Sequence, residues 1–485
     1  MGGARKSSGY KDLSTSAIVW AGIGLVLLAV GMAIWLLRAY GGGTDAQKAQ
    51  LEAIKTAGTI VVGTGGAAAL WLAARRQQTS ERVATQTDHD AAERRVTELY
   101  TKAVEQLGSD KAPVRLGGMY ALERLAQNVP EQRQTIVNVL CAYLRMPYLP
   151  STDGEADKTE VERRQQERHA RLTAQRILAA HLDPGAAGRY WEDIDIDLTG
   201  ATLLNLDFRG CRLRTAQFVE ARFCGPTDFR QTRFDGEAWF DGTTFEEEAD
   251  FESAEFAAAA WFRDDVEFAQ TAWFNGARFR GPAGFNGTRF CSSAWFSDAE
   301  FAAATAFDWV EFRTQARFKG ARFGGASAFS KTAFHRTAWF DQAKFARDAV
   351  FADAEFGEDA RFIKAEFGRD VSFKNSRFKA NAWFGEARFS EGAWFRETDF
   401  IGAANFDSAV FGVAAWFDAA LFGGSASFGR TRFDGVAGFE KARVKLVVDL
   451  LEGSVWPAGV SVAEPFTEEE ARVEGKTGRW GFLWS

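Results

Sequence analysis

Apolar positions along this chain follow three different rhythms, and each predicts a different kind of element. The first is unbroken. Residues 17–37 are 21 consecutive residues without a charge, and residues 57–74 are a further 18, ending at Arg75 and Arg76. At 1.5 Å per residue these runs reach about 31 and 27 Å, against a hydrocarbon core of roughly 30 Å. Trp20 and Trp35 stand near the ends of the first run, where indoles favour an interface. The pattern predicts two transmembrane helices, 17–37 and 57–74. On length alone the second, rich in Gly and Ala, also reads as a re-entrant or interfacial helix. Two spans put both chain ends on one side. Arg5, Lys6 and Lys11 before the first, and Arg75, Arg76 and Arg82 after the second, outweigh Arg38, Lys48 and Lys55 between them. The expectation is a cell-membrane protein with both termini and all later residues in the cytoplasm, and with the lipid bilayer as a partner.

The second rhythm is helical. Val96, Leu99, Tyr100, Ala103, Val104 and Leu107 recur at spacings of three and four, and Gly108 ends the run. A helix follows Pro113, with Val114, Leu116, Tyr120, Leu122 and Leu125 inward. Another opens at Pro130, which suits a first helical turn, and contains Ile136, Val139, Leu140, Tyr143 and Leu144. After a polar stretch at 151–157, a last helix covers 158–182 with Leu172, Ile177, Leu178 and Leu182 on its apolar face.

The third rhythm fills the C-terminal half. From Phe223 to Phe439 a phenylalanine recurs every five or six residues without a substitution. The run opens in fives at Leu203, Phe208, Leu213, Phe218 and Phe223, then alternates sixes and fives as an 11-residue unit. One extra residue interrupts it, between Phe262 and Phe268. From Phe223 onward, Ala, Thr, Val or Ser stands two residues before each lattice phenylalanine. That spacing puts a large and a small side chain on the same side of an extended segment, and no step approaches 3.6. The pattern predicts a β-solenoid.

Composition sharpens this reading. Of 44 Phe, all but Phe466 and Phe482 sit on the lattice, so the bias is periodic in origin. The motif A-x-F-x-x, with its opening Ala201-Thr-Leu203 and Cys211-Arg-Leu213, resembles the pentapeptide-repeat family over about residues 196 to 445. The segment Ala112 to Ala126 resembles the inner helix of HEAT-type repeats, and also the helical module that stands between membrane spans and pentapeptide repeats in many actinobacterial proteins. The resemblance implies a right-handed quadrilateral parallel β-helix. Two 11-residue units would make one 22-residue coil, giving about 11 coils and a rod near 50 Å long at a strand spacing of about 4.8 Å. The six-residue steps should make two corners per coil bulge. The expected organisation is a membrane anchor at 1–76, a helical module at 79–185, the solenoid at 196–450 and a cap at 451–485. Just before that cap Val444, Leu446, Val447, Val448 and Leu450 read as a closing strand, with the tail carrying Trp456 and Trp480 folded back over it.

Spacings of 22 also sort the outward residues into faces. One face carries Glu255, Arg278, Glu300, Arg322, Lys344, Glu366 and Arg388. The opposite one carries Arg289, Glu311, Ala333, Glu355, Arg377 and Asp399. Alternating signs predict charge ladders, each exposed pair contributing under about 1 kcal/mol. A third face carries Trp273, Trp295, Arg317, Trp339, Arg361 and Trp383. Trp and Arg are enriched in interaction hot spots, so this column is the candidate interaction face; self-stabilising stacking along the rod is an equally weighted reading. The fourth face has Trp239 and Trp261 at one end, Trp394 and Trp416 at the other, and Ala306, Ala328, Val350 and Ser372 between.

Little else in the sequence offers chemistry. His89, His169, His181 and His335 are scattered, Cys141, Cys211, Cys224 and Cys291 form no pair motif, and no phosphate loop or nucleophile elbow occurs. Asp264-Asp265, at the inserted residue, reads as a solvated corner, and Asn286-Gly-Thr288 as a corner of the repeat. No catalytic, cofactor-binding or metal residue is assigned. The expectation is a membrane-anchored, non-enzymatic scaffold for an unidentified protein partner, with self-association left open. The family supplies the alternative, mimicry of duplex DNA towards an enzyme such as a topoisomerase. Residues 200–445 hold 31 Lys+Arg and 35 Asp+Glu, a balance of −4, which is weak for a phosphate mimic. The whole chain's net charge of −7 likewise speaks against direct nucleic-acid binding.

Overall fold

The computed structural model describes residues 15–40, 43–150, 158–465 and 467–484 of the 485-residue chain. Arg5, Lys6, Lys11, the polar stretch 151–157 and Phe466 lie outside the described residues. The chain divides into two compact units, Met1–Arg95 and Val96–Ser485.

The first unit corrects the membrane reading. Residues 17–37 fall inside helix α1 (Thr15–Tyr40). Residues 57–74 are not a separate span but the middle of helix α2 (Asp45–Leu107), which runs on through Arg75 and Arg76 for 63 residues in all. Charged turns flank that middle section on both sides in the same helix. Among the described residues no helix is long and apolar enough to cross a membrane. The two spans, the cell-membrane location and the cytoplasmic sidedness derived from them are therefore overturned.

The second unit begins with a helical bundle. Helix α3 (Ala112–Asn128) starts with proline in its first turn, Pro130–Gln132 form a 3₁₀ turn, and α4 (Arg133–Arg145) and α5 (Lys158–Leu182) follow. Met119, Leu122, Leu125 and Ala126 close the α3 side of the core, whereas Val114 and Tyr120 are exposed. Tyr120 lies about 100° round the helix from buried Met119, on the side turned away from that core. Leu99 and Val104 of α2 are likewise exposed, leaving Ala103 and Leu107 inward.

Two glutamines seal the bundle onto the solenoid. Gln175 of α5 donates to the Leu204 carbonyl and accepts from the Leu204 N–H, at 2.8 and 2.9 Å. Gln134 of α4 treats Asp195 in the same way, both bonds at 2.9 Å. A side-chain amide has the donor and acceptor of a peptide group, so each glutamine stands in for a preceding strand and satisfies an otherwise open edge.

The solenoid itself has four parallel faces. Face I runs from Ile196–Asp197 to Val436–Gly438, face II from Thr202–Leu204 to Arg443–Lys445, face III from Thr227–Asp228 to Ala426–Ser427, and face IV from Arg212–Leu213 to Arg432–Phe433. They follow one another in that order round each of about eleven coils. Face I is opposite III, and II is opposite IV.

Phenylalanine rings fill the tube. Rings one coil apart lie nearly parallel, as in Phe285–Phe307 at 4.7 Å and 1°. Rings from opposite faces meet edge to face, as in Phe274–Phe285 at 5.7 Å and 90°. Both arrangements suit the ring quadrupole. The small positions do more than leave room. At several of them a hydroxyl donates to the carbonyl of a phenylalanine in the coil below: Thr332 to Phe307 at 2.6 Å, Ser376 to Phe351 at 2.6 Å and Thr398 to Phe373 at 2.8 Å.

The two step lengths make two kinds of corner. Each five-residue step is a tight turn closed by a bond such as Ala299 N–H to the Phe296 carbonyl, with a left-handed residue third in the turn. Those residues recur every 11 positions, at Trp309, Lys331, Gln342, Asp353 and Lys364 among others. The six-residue steps are the wider corners. At the insertion Asp264 and Asp265 are both left-handed, with φ of 58° and 69°, which absorbs the extra residue without disturbing the register of the next strand.

The C-terminal end differs from the expected closing strand. Only Arg443–Lys445 pairs as a strand there, and Val448–Glu452 is a helical turn. Strand Trp480–Trp484 returns antiparallel to Arg443–Lys445, and Ser461–Ala463 pairs on its far side. Val455 closes face III through bonds with Ala426 and Phe428, and Trp456 packs on Phe422 and Phe428. Lys476 pins the tail to the buried Asp399 of face II.

Candidate interaction faces

Side chains on faces II and IV are charged and pair along the rod. On face IV, Arg233–Glu255, Arg322–Glu300 and Lys344–Glu366 lie 2.8, 2.8 and 3.0 Å apart. On face II, Arg289–Glu267 and Arg377–Asp399 lie 3.2 and 3.4 Å apart, and Lys379 reaches Glu355. Most of these groups are well exposed, so each pair contributes little.

Among the strands of the coils, tryptophan occurs only on the other two faces; Trp309 stands at a corner. On face III the register places Trp273, Trp295, Arg317, Trp339, Arg361 and Trp383 in successive strands, directly above one another. All six are half-buried, since each covers the next. Trp273 stacks on Trp295 at 5.5 Å and 9°. The Arg317 guanidinium is sandwiched between Trp295 and Trp339, at 5.1 and 5.5 Å from their ring centres. Arg361 instead turns aside to Asp341, at 3.0 Å, and the Trp383 indole N–H donates to Asp359 at 3.1 Å. The result is a stiff, flat band. Spacing alone could not show that half-burial, because it depends on ring tilt between coils.

Face I is recessed. Trp239 and Trp261 stand at one end, 6.1 Å apart, and Trp394 and Trp416 at the other. Between them the strands present Gly284, Ala306, Ala328, Val350 and Ser372. This floor makes a trough of about 520 Å³ reaching from Trp261 and Arg263 to Asp348 and Val350. Gly284 shapes one end: a Cβ there would sit 2.9 Å from the Trp261 ring, so only glycine lets that indole lean across the next coil. Arg263 lies over the same ring at 4.3 Å and pairs with Asp241 at 2.8 Å.

Among the described residues, those with catalytic potential lie apart. His181 is buried, stacked on Trp191 at 3.9 Å and bonded to Glu123 and the Arg189 carbonyl. His335 pairs with Glu311 at 3.1 Å on face II. Burial pushes the Cys141 and Cys224 thiols up to about 12, which keeps them protonated and unreactive. Asp265 contacts Arg289 at an exposed corner. Among the described residues no group of His, Cys, Asp and Glu could hold a metal ion.

A family model described as pentapeptide repeats (9 copies) matches residues 198–244, 264–308 and 351–399, all within the solenoid. The repeat region is a pentapeptide-repeat domain. No curated protein and no solved structure matches the chain. The pentapeptide-repeat solenoid here is thus built with an 11-residue double unit rather than strict fives, and the family match carries no substrate or partner with it.

Proposed function

We propose that this pentapeptide-repeat protein is a non-enzymatic protein-interaction scaffold whose docking surfaces are its two tryptophan-bearing faces. The observation that carries the reading is segregation. Within the coils, eight tryptophans stand on the strands of faces I and III and none on those of II and IV, where paired charges stand instead. A core of stacked rings asks only that the outward positions be tolerable, so this division is not required by the fold. Face I offers a recess for a partner's side chains, and the band Trp273, Trp295, Arg317, Trp339, Arg361 and Trp383 offers a flat, pre-ordered surface with little side-chain entropy left to lose. Nothing favours phosphate mimicry: basic and acidic groups alternate and neutralise one another coil by coil.

The test compares proximity-labelled partners of the intact protein with those of two variants in cells. Ala306→Arg with Ala328→Arg fills the trough. Trp273, Trp295, Trp339 and Trp383 changed together to Ser strips the band. The scaffold reading expects one labelled set to disappear in one variant while the solenoid stays folded by circular dichroism. Unchanged sets in both folded variants contradict it.

A further inference from the structure

The four faces do not end alike. Face II is continued by the returning strand Trp480–Trp484, and face III is closed by Val455. Face I simply stops at Val436–Gly438, with no strand beyond it. In the coils below, the corresponding backbone groups are all used. Phe373, Phe395 and Phe417 each donate an N–H to the next coil at 2.7 Å, and Asn375, Glu397 and Ala419 do so at 3.0, 2.9 and 2.7 Å. Phe439 and Lys441 occupy the same positions in the last coil, and their N–H groups meet no acceptor among the described residues. Phe439 is only 1% exposed, so its orphaned donor is the kind that folded proteins rarely leave unmatched.

These donors border a cleft of about 920 Å³. Gly438, Phe439 and Lys441 form one wall, and Ala463 and Phe482–Trp484 the other. The floor is apolar. A Cβ on Gly438 would come within 2.5 Å of the Trp416 ring, so that indole lies across the end of the face, and Trp484 is 60% exposed at the opposite rim. The rim is acidic. Arg396 is already held by Asp418 at 3.2 Å and by the Trp416 ring at 5.3 Å. Lys441 offsets only Glu440, at 3.7 Å, and Glu464 has no ion-pair partner among the described residues.

We infer that this cleft binds a short, extended, basic peptide segment of a partner protein, which adds a strand to the open end of face I. Its carbonyls accept from the Phe439 and Lys441 N–H groups. Because side chains alternate along a strand, apolar residues face Trp416 and Trp484 while intervening Lys or Arg residues reach Glu440 and Glu464. The open edge supplies affinity independent of sequence, and the acidic rim supplies selectivity. This site lies at the C-terminal end of face I, beyond the trough and away from the band, and its occupancy does not depend on a partner at either.

The test uses the full chain and a fluorescein-labelled acetyl-Lys-Val-Lys-Val-Lys-amide. The peptide should bind saturably and slow hydrogen exchange at the Phe439 and Lys441 amides. N-methylating the central amides should abolish binding, the Glu-Val-Glu-Val-Glu counterpart should not bind, and Glu440→Lys with Glu464→Lys should weaken the lysine peptide by about tenfold. The proposal is overturned if no peptide binds, if the N-methylated or acidic peptide binds equally well, or if the two amides stay unprotected. Concentration-dependent protection without peptide, with dimers in sedimentation, also overturns it by making a second copy the occupant.

Discussion

Each lattice phenylalanine answers to two neighbours at once, a parallel ring one coil away and an edge-on ring across the tube. Phe307 illustrates this, lying 4.7 Å from Phe285, 4.9 Å from Phe329 and 5.5 Å edge-on to Phe296. Phe307→Ala opens a cavity that the continuous stack cannot collapse, and it should cost about 3–5 kcal/mol, read as a lowered urea midpoint. The corners hold the opposite kind of opportunity. Gln342 is exposed and left-handed at φ 60°. An L-residue there costs roughly 1–2 kcal/mol, so Gln342→Gly should stabilise the fold by up to about 1 kcal/mol after glycine's extra chain entropy is subtracted, read as a raised urea midpoint. The inward residues were legible because a step of two fixes which side chains share a face. The left-handed corners were not: Trp309, Lys331 and Gln342 share a conformation but no chemistry, and only the position in the turn selects it.

Elements here are defined by their edges more than by their own strands, most of which are two residues long. The N-terminal edge rests on Gln175, 4% exposed, whose amide serves both backbone groups of buried Leu204. Gln175→Met keeps the volume and removes both bonds. It should destabilise the second unit by about 1–3 kcal/mol in urea titration, with Gln175→Glu failing to restore the lost donor. Nothing local marks this glutamine, since it pairs with a residue 29 positions later in the chain and interrupts no repeat. The same reason hid the C-terminal cleft, which depends on where the tail returns after Lys476. By contrast the four faces and the columns on them followed from arithmetic in 22s, and the helix boundaries from Gly108, Pro113 and Pro130. The apolar runs at 17–37 and 57–74 misled because composition was read without the length of α2, whose polar turns continue on both sides of the second run.

At the scale of the whole solenoid, stacking makes a rigid frame and leaves the outer positions free to differ by face. Two faces spend them on charge pairs. The other two carry the tryptophans, one as a recess and one as a flat band. The central claim is that partners meet the tryptophan-bearing faces and not the charged ones. Site-specific photocrosslinking tests it most directly, with benzoyl-phenylalanine placed in separate proteins at Ala328 in the trough, at Trp339 in the band and at Arg322 on face IV. Illumination in cells should give discrete protein adducts from position 328, position 339 or both, and none above background from position 322. Equal adducts from all three positions, or adducts from position 322 alone, would contradict the account.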